Sequence, residues 1–517
     1  VGPCDQGNEA LPPQPWRARG AMAVESAPEA AAGTMSTPPS GSESSDRADE
    51  LKNQGNKKFG EGHFPEAIDL YTQAIEADPL KALIYCNRSL CHIKMETYGL
   101  AIADATTALE IDPKCVKAYY RRGSAYMGLG KYKDARTNYK KACQLKPNDR
   151  DAALRLKECE KEVKREQFEK AIASEHANDP PLAQSVHIDD IVVEDSYTGP
   201  RLSWPITAEF VKALTEHFKD QKSLHKRYVF ELLKKAEEIF KELPTVFDVP
   251  VPEGTSISVC GDTHGQYYDL LNIFAVNGWP TEDNPYLFNG DFVDRGSFSF
   301  EVVLTLIAFK CLLPRHFHMT RGNHESKTMN KMYGFEGEVK HKYSDQMFHF
   351  FSEVFNWLPL GAVIGNKVFV VHGGLFSRDD VTLAELRKVD RNREPPEEGL
   401  MSEMLWSDPQ PSNGRAPSKR GVGLSFGPDV TKAFLERNNL ELVVRSHEVK
   451  DAGYEVEADG KLITVFSAPN YCDQMGNKGA LLRFDSDMRW KAVQFEAVPH
   501  PPIRPMQYAS MGALFGF

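Results

Sequence analysis

Six short stretches of the chain end in residues able to bind a metal or move a proton. Asp262 and His264 stand in Gly261-Asp262-Thr263-His264-Gly265, Asp291 and Asp294 in Gly290-Asp291-Phe292-Val293-Asp294-Arg295-Gly296, and Asn323 and His324 in Arg321-Gly322-Asn323-His324-Glu325. Further on come His372 in His372-Gly373-Gly374, His447 in Ser446-His447-Glu448 and Tyr471 in Ser467-Ala468-Pro469-Asn470-Tyr471. None of these donors is a thiolate, and a mix of imidazole, carboxylate and amide oxygen suits Mn, Fe or Zn better than a soft metal. Asp262, His264, Asp291, Asn323, His372 and His447 are too many ligands for one catalytic zinc and suit two ions sharing a carboxylate. Two ions roughly 3.5–4 Å apart hold a hydroxide between them and polarise a phosphoryl group for in-line attack. Taken singly, each residue has a plainer reading. His372 on an apolar run reads as a core histidine, Asp-x-His and Gly-Gly as turns, and Arg420 in Ser418-Lys419-Arg420 as a solvated basic loop. The ordered set weighs against those readings for the metal ligands, while no ligand arithmetic supports Arg420 or Tyr471.

Each motif follows directly on a short apolar run, at 257–260, 286–288, 317–320, 368–371, 442–445 and 463–466. Runs this short and branched predict buried strands. Polar residues just beyond them predict a site at the strand ends, on loops held by a rigid scaffold. The adjoining glycines permit sharp turns and close approach to a ligand. Ahead of the strands, Phe210, Leu214, Phe218, Leu224, Tyr228 and Leu232 recur at helical spacing and predict helix over 207–243. The apolar run 302–309 stops at Lys310. It falls short of the roughly 18 residues that cross a bilayer and reads as buried core.

The blocks Gly-Asp-x-His-Gly, Gly-Asp-x-Val-Asp-Arg-Gly and Arg-Gly-Asn-His-Glu are intact and in order, with two later histidines. Over 207–508 they resemble the phosphoprotein phosphatase family, within the calcineurin-like metallophosphoesterases. The resemblance implies an α/β domain, a central β-sandwich flanked by helices, that hydrolyses phosphoserine and phosphothreonine. It implies two divalent ions, manganese or an iron and zinc pair. Asp262 and His264 then hold one ion, Asp291 bridges, and Asn323, His372 and His447 hold the second. His324 is the general acid that protonates the departing oxygen, and Asp294 orients it. Arg295 and Arg420 grip phosphate oxygens with their planar forks, beside Asn323 and Tyr471. Hydrolysis is then a single step without a phosphoenzyme.

A second pattern precedes this one. Pro79, Pro113 and Pro147 recur every 34 residues, as do Ala67, Ala101 and Ala135, and Ala74, Ala108 and Ala142. Small residues recur at Gly55, Ser89 and Gly123, and rings at Tyr71 and Tyr139 with Ala105 between them. Small residues let paired helices approach, and proline ends the second helix of each pair. A single hairpin cannot bury its apolar face, so three must stack. The spacing resembles the tetratricopeptide repeat, over 48–149. In chaperone-binding repeats, five positions form a clamp for a C-terminal carboxylate. Here they carry Lys52, Asn56, Asn87, Lys117 and Arg121, which the resemblance assigns to the acidic tail of heat shock protein 90. Solvated helix surface is the plainer reading of any one of them. The order of the two halves resembles a branch of the phosphatase family whose repeats fold over the active site and inhibit it. Chaperone tails or fatty acyl chains relieve that block. The matching contact is Glu96, poised to compete near Arg295 or Arg420, with the apolar 506–517 as a latch.

Composition agrees with a soluble multidomain protein. Of 517 residues, 62 are Lys or Arg and 73 Asp or Glu, a net charge of −11 that argues against nucleic-acid binding. Nine scattered cysteines without a C-x-x-C predict reduced thiols in the cytoplasm or nucleus. Residues 1–47, rich in Pro, Ala, Ser and Gly, predict disorder, and the start at Val1 points to Met22 or Met35 as the natural first residue. Between the halves, 150–206 reads as a helical extension and linker, in which 151–173 predicts one long charged helix with a sparse apolar stripe of Leu154, Val163, Phe168 and Ile172, broken at Asn178-Asp179-Pro180-Pro181. The tail 509–517 is expected to be regulatory. Two other functions stay open: a co-chaperone scaffold with an inactive metal site, and a phosphoesterase of small phosphates.

Overall fold

A computed structural model describes residues 41–175 and 182–509. Seven helices come first: α1 (Gly41–Gly60), α2 (Phe64–Ala77), α3 (Ala82–Lys94), α4 (Tyr98–Ile111), α5 (Val116–Gly128), α6 (Tyr132–Leu145) and α7 (Arg150–Glu175). Helix α1 starts at Gly41, so 41–47 is helical rather than unstructured; its turn leads straight into Ala48, which is fully buried against Ala67 and Tyr71. Pro79, Pro113 and Pro147 fall in the turns after α2, α4 and α6. The recurrent alanines 67, 101, 135, 74, 108 and 142 are all fully buried, which lets the paired helices touch backbone to backbone. A methyl group on Gly55 would meet the ring of Tyr71, and one on Gly123 the ring of Tyr139. The middle repeat has Ala105 at the ring position, and there Ser89 fits and donates to Ala101 O at 2.8 Å.

Helix α7 packs on the third repeat through Ala152, Cys159 and Val163. The expected stripe holds only at Val163, because Leu154 and Phe168 are 56% and 66% exposed. Ala152, Cys159 and Val163, spaced seven and four apart, make the real stripe. The break at 178–181 lies outside the described residues, as do 1–40 and 510–517, and of Ile172 only the main chain is described.

The second half opens with helices Ala208–Lys219 and Lys226–Lys241, two where one continuous pattern ran. Its strands are β1 (Val246–Val249), β2 (Ser256–Cys260), β3 (Tyr286–Asn289), β4 (Phe317–Thr320), β5 (Gly361–Ile364), β6 (Val368–Val371), β7 (Asp408–Pro409), β8 (Arg415–Pro417), β9 (Leu424–Phe426), β10 (Leu442–Arg445), β11 (Tyr454–Glu457), β12 (Leu462–Val465), β13 (Gly479–Asp485) and β14 (Trp490–Phe495). One sheet runs β1-β5-β6-β10-β12-β11, a second β14-β13-β2-β3-β4 and a small third β7-β9-β8. The first two pack face to face through Val259, Leu287, Val370, Val444, Ile463 and Leu482. Helices cover the outer face of each sheet. This is the mixed α/β sandwich that the motifs imply.

Strands β2, β3 and β4 pair in parallel, and so do β6, β10 and β12. A parallel bridge from Asp262 to Phe466 joins the two triplets at their C-terminal ends. All six motif loops therefore meet at one edge of the sandwich. Behind them, helix Ser299–Leu312 is buried almost throughout. Even Lys310 is inside, donating to Pro314 O at 2.8 Å and Phe317 O at 3.0 Å. Among the described residues no helix is long and apolar enough to cross a membrane.

Candidate active site

Two of the imidazoles at this edge are fixed from behind by main-chain carbonyls. His264 Nδ1 donates to Val293 O at 3.0 Å and His372 Nδ1 to Asn289 O at 2.8 Å. A neutral ring that donates from Nδ1 presents a lone pair at Nε2. His264 Nε2 then faces Asp262 Oδ2 at 3.6 Å and Asp291 Oδ2 at 3.5 Å. His372 Nε2 faces the same Asp291 Oδ2 at 3.2 Å and Asn323 Oδ1 at 3.0 Å. His447 Nε2 is buried without a hydrogen-bond partner, 5.0 Å ring to ring from His372. Acceptors thus point at acceptors, an arrangement that cations reconcile. Two donor clusters emerge, His264 with Asp291 and His324, and Asp291 with His372 and His447. Asp291 belongs to both. His324 Nδ1 lies 2.8 Å from Asp294 Oδ2, so the nitrogen of His324 not committed to that carboxylate is Nε2.

Burial sets the electrostatics. It pushes the Asp262 and Asp294 carboxyls up to about 7 and Asp291 to about 8, and drives His264, His324 and His447 well below the ordinary imidazole range. Divalent ions invert that logic by supplying the missing positive charge. The donor chemistry and geometry therefore fit the divalent ions that a metallophosphoesterase requires.

Local backbone strain aims these groups. His264, Asp291, Asp294, Arg295 and His447 all take φ between 40° and 73°, costly for residues with a Cβ. Sequence reading gave no role to the residues that hold this strain. Glu325 accepts from the main-chain N–H groups of Asp291, Phe292 and Gly322, each at 2.8 Å, tying the β3 loop to the β4 loop. Asn289 donates to Val371 O and Ser446 Oγ, both at 2.9 Å, across the two sheets. Both stood inside or beside the motifs, which is the only sequence signal they carry. Asp294 is fully buried and also accepts from Asn330 Nδ2 at 3.1 Å and Phe335 N at 2.9 Å.

Arg420, on the loop between β8 and β9, donates from Nε to Asp408 Oδ2 at 2.7 Å and from Nη2 to His447 O at 2.9 Å. It is not a solvated loop residue. Asp408 is held in turn by the buried Arg445 at 2.9 Å, a pairing that nothing in the sequence signals. The Tyr471 ring lies 5.2 Å from that of His264.

Arg295 meets the repeats. Its Nη1 donates to Glu96 Oε1 at 2.7 Å and its Nη2 to Oε2, a two-pronged pair; Tyr333 OH adds a bond to Oε2 at 3.3 Å. The guanidinium carbon sits 3.8 Å above the Tyr333 ring. Glu96 lies in the turn between α3 and α4 at φ 58°. Next to it, Gly99 N donates to Lys419 O at 3.0 Å, and a Cβ there would lie 2.4 Å from Ser418 O. Lys131 with Glu397 at 3.0 Å and Arg165 with Glu336 at 2.9 Å extend the contact. Of the apolar tail, Met506 packs on Met329, Met332 and Tyr333, and its N–H donates to Arg295 O at 2.7 Å.

The five clamp positions share the first helices of the three hairpins, α1, α3 and α5. Asn87 Nδ2 donates to Asn56 Oδ1 at 3.0 Å, and Tyr71 OH to the same oxygen at 2.8 Å. Lys52 pairs with Asp49 at 2.7 Å, and Lys117 is exposed. Arg121 Nε is buried without a partner.

Residues 255–451 match the family model described as calcineurin-like phosphoesterase, and 156–248 that of the PPP5 TPR repeat region. Residues 53–113 and 116–149 match tetratricopeptide repeats. Over 90% of its length the chain is 54% identical to serine/threonine-protein phosphatase 5 of Homo sapiens, covering 93% of that protein. It is likewise 54% identical to serine/threonine-protein phosphatase T of Trypanosoma brucei brucei, over 91% of this chain and 99% of the other. A solved serine/threonine phosphatase from Saccharomyces cerevisiae, described as similar to human phosphatase PP5, aligns at a TM-score of 0.57 and 44% identity, covering 59% of this chain and 100% of that one. Identity sustained through both the repeats and the phosphoesterase domain settles how the two halves belong together: the chain is a serine/threonine phosphatase of the protein phosphatase 5 family.

Proposed function

We propose that the enzyme hydrolyses phosphoserine and phosphothreonine in proteins in one step at a two-cation centre, and that its own repeats hold it back until a ligand occupies their groove. The observation that carries the catalytic half is the convergence of His264 Nε2 and His372 Nε2 on the single oxygen Asp291 Oδ2. Asp262 and His264 hold one ion on this reading, Asn323, His372 and His447 the other, and Asp291 both. Two divalent ions, manganese or an iron and zinc pair, supply an activated water and withdraw charge from the phosphoryl oxygens. His324 carries a proton on Nε2 for the departing serine or threonine oxygen, while Asp294 at Nδ1 favours the imidazolium against its buried surroundings. Arg295 and Arg420 hold the phosphoryl oxygens in line, with Asn323 and Tyr471 at their sides. Asp408 and Arg445 keep Arg420 from collapsing toward the surface.

Glu96 underlies the regulatory half. Its carboxylate takes both prongs of the Arg295 fork, the contact that a phosphoryl group needs. An acidic peptide ending in a free carboxylate, as in the tail of heat shock protein 90, suits Lys52, Asn56, Asn87, Lys117 and Arg121. The unpartnered Arg121 Nε supports that reading. Fatty acyl chains belong to the same proposal as activators. The described cysteines are unpaired, which agrees with cytoplasmic and nuclear residence, tested by cell fractionation.

The decisive assay follows phosphoserine-peptide hydrolysis with added manganese, comparing the full chain with one beginning at residue 182. A much faster truncated chain, and a full chain accelerated by the acidic peptide, are expected. Equal rates would remove the inhibitory role of the repeats. Silence in both, with metal bound by elemental analysis, would overturn the mechanism.

A further inference from the structure

Two thiols of the repeat domain face each other outside the phosphatase site. Cys86 Sγ on α3 lies 3.7 Å from Cys115 Sγ, the residue before α5. Both are enclosed, at 1% and 7% exposure, in an apolar cluster with Ala108, Leu109 and Ala118. A disulfide needs its sulfurs about 2.0 Å apart, so a small side-chain rotation or shift closes the gap. Cys86 immediately precedes Asn87, and Cys115 stands two residues before Lys117. The pair therefore joins the second repeat to the third directly under the groove, a placement whose bearing on ligand binding rests on the clamp reading above.

We propose that Cys86 and Cys115 form a reversible disulfide that staples the second repeat to the third when the chain meets a hydroperoxide. Cys115, the more accessible sulfur, attacks the peroxide. The O–O bond breaks, Cys115 becomes a sulfenic acid and one water leaves. The Cys86 sulfur then attacks the Cys115 sulfur. The S–O bond breaks and a second water leaves with the Cys86 proton. Two thiols are oxidised to one disulfide as one peroxide is reduced to two waters. Burial raises the Cys86 thiol well above its ordinary range, while Arg121 and Lys117 pull it back, so closure is slow and needs a small oxidant. A reducing thiol pool reopens the bond.

The link closes a loop of 29 residues between its ends. It therefore removes unfolded-state freedom and raises the melting temperature of the repeats on the order of 10 °C. The test treats the reduced full-length chain with hydrogen peroxide, blocks remaining thiols under denaturing conditions and reads the digest by mass spectrometry. A linked pair of peptides carrying Cys86 and Cys115, two hydrogens lighter and separated by dithiothreitol, is expected. The accompanying rise in melting temperature should vanish in Cys115→Ser and in Cys86→Ala. Both thiols found blocked after oxidation, or Cys86 linked elsewhere, would overturn the proposal; so would a link without the rise. The link is read independently of the groove. If it forms while affinity for an acidic peptide with a free C-terminal carboxylate stays constant, the staple stands and its bearing on the groove falls.

Discussion

In the phosphoesterase loops, Asp262, Asp291, Asp294 and His372 are buried, strained or clamped by two or three hydrogen bonds, and they come from the ends of three strands, β2, β3 and β6. In the repeats, Lys52, Asn56, Asn87, Lys117 and Arg121 project from regular helices without positive φ, and Lys117 stands in solvent. The first arrangement holds its atoms in place before the reaction, which charge development in a transition state demands. The second repeats one unit at a constant spacing, which an extended peptide demands and a reacting phosphorus does not. Rigidity is concentrated where chemistry happens. Periodicity is enough where recognition happens.

The sharpest way to break that contrast is at His324. His324→Gln should lower kcat by about 10²–10⁴ while metal content, measured by elemental analysis, stays unchanged. A parallel loss of metal would make His324 chiefly a ligand, as its membership of the first donor cluster allows. On the repeat side the corresponding change is softer. Lys117→Ala should weaken an acidic peptide by about 10- to 100-fold in calorimetry, the worth of a hydrogen bond to a charged group.

The same contrast explains what was legible before the fold was known. Strands β2, β3, β4, β6, β10 and β12 stood out because each ends in a polar motif, and the structure places them within a residue of the expected ends. Strands β1, β5, β11, β13 and β14 carry no chemistry at their ends. Nothing but short apolar texture marked them, and it is shared with buried helix such as Ser299–Leu312. Ligands were legible because chemistry limits their type. Asp408 and Arg445 were not, since their meeting depends on how β7 and β10 are placed by the whole sandwich. In α7 the expected stripe of Leu154, Val163, Phe168 and Ile172 holds at Val163, while Leu154 and Phe168 face solvent; a long charged helix offers too few apolar positions to fix its phase.

Where the two regions touch, one residue carries both logics. Glu96 is a helix-turn residue of the repeats, yet it is strained and doubly bonded like a residue of the active site. Its side chain is 22% exposed and that of Arg295 11%, so solvent screens the pair only in part. Glu96→Ala should raise basal turnover of the full chain about tenfold or more, the effect of removing one partner from a largely desolvated charge pair. The acidic peptide should then add little further activation. Unchanged turnover would mean that Gly99 and Lys419, with the outer ion pairs, hold the closed form without it.

The smallest expected effect tests periodicity itself. Position by position, the repeats pair Gly55 with Tyr71, Ser89 with Ala105 and Gly123 with Tyr139, so a ring favours glycine opposite and its absence admits a larger residue. Alanine in a helix is worth roughly 1 kcal/mol over glycine, and overpacking costs roughly 1–3 kcal/mol. At Gly123 the new methyl would lie 3.2 Å from three ring atoms of Tyr139, a contact that a slight tilt relieves. At Gly55 it would lie 2.7 Å from Tyr71, too close for so slight a shift; both hydroxyls are anchored, that of Tyr71 to Asn56 at 2.8 Å and that of Tyr139 to Ser124 at 2.9 Å, so the distance alone separates the two sites. Gly123→Ala should therefore be close to neutral in thermal unfolding, and Gly55→Ala should lower stability by about 1 kcal/mol. Gly55→Ala combined with Tyr71→Ala should restore the tolerance that the middle repeat already has. If the double variant instead loses the sum of both single effects, the rings are not what sets the glycines, and the period reflects backbone contact alone.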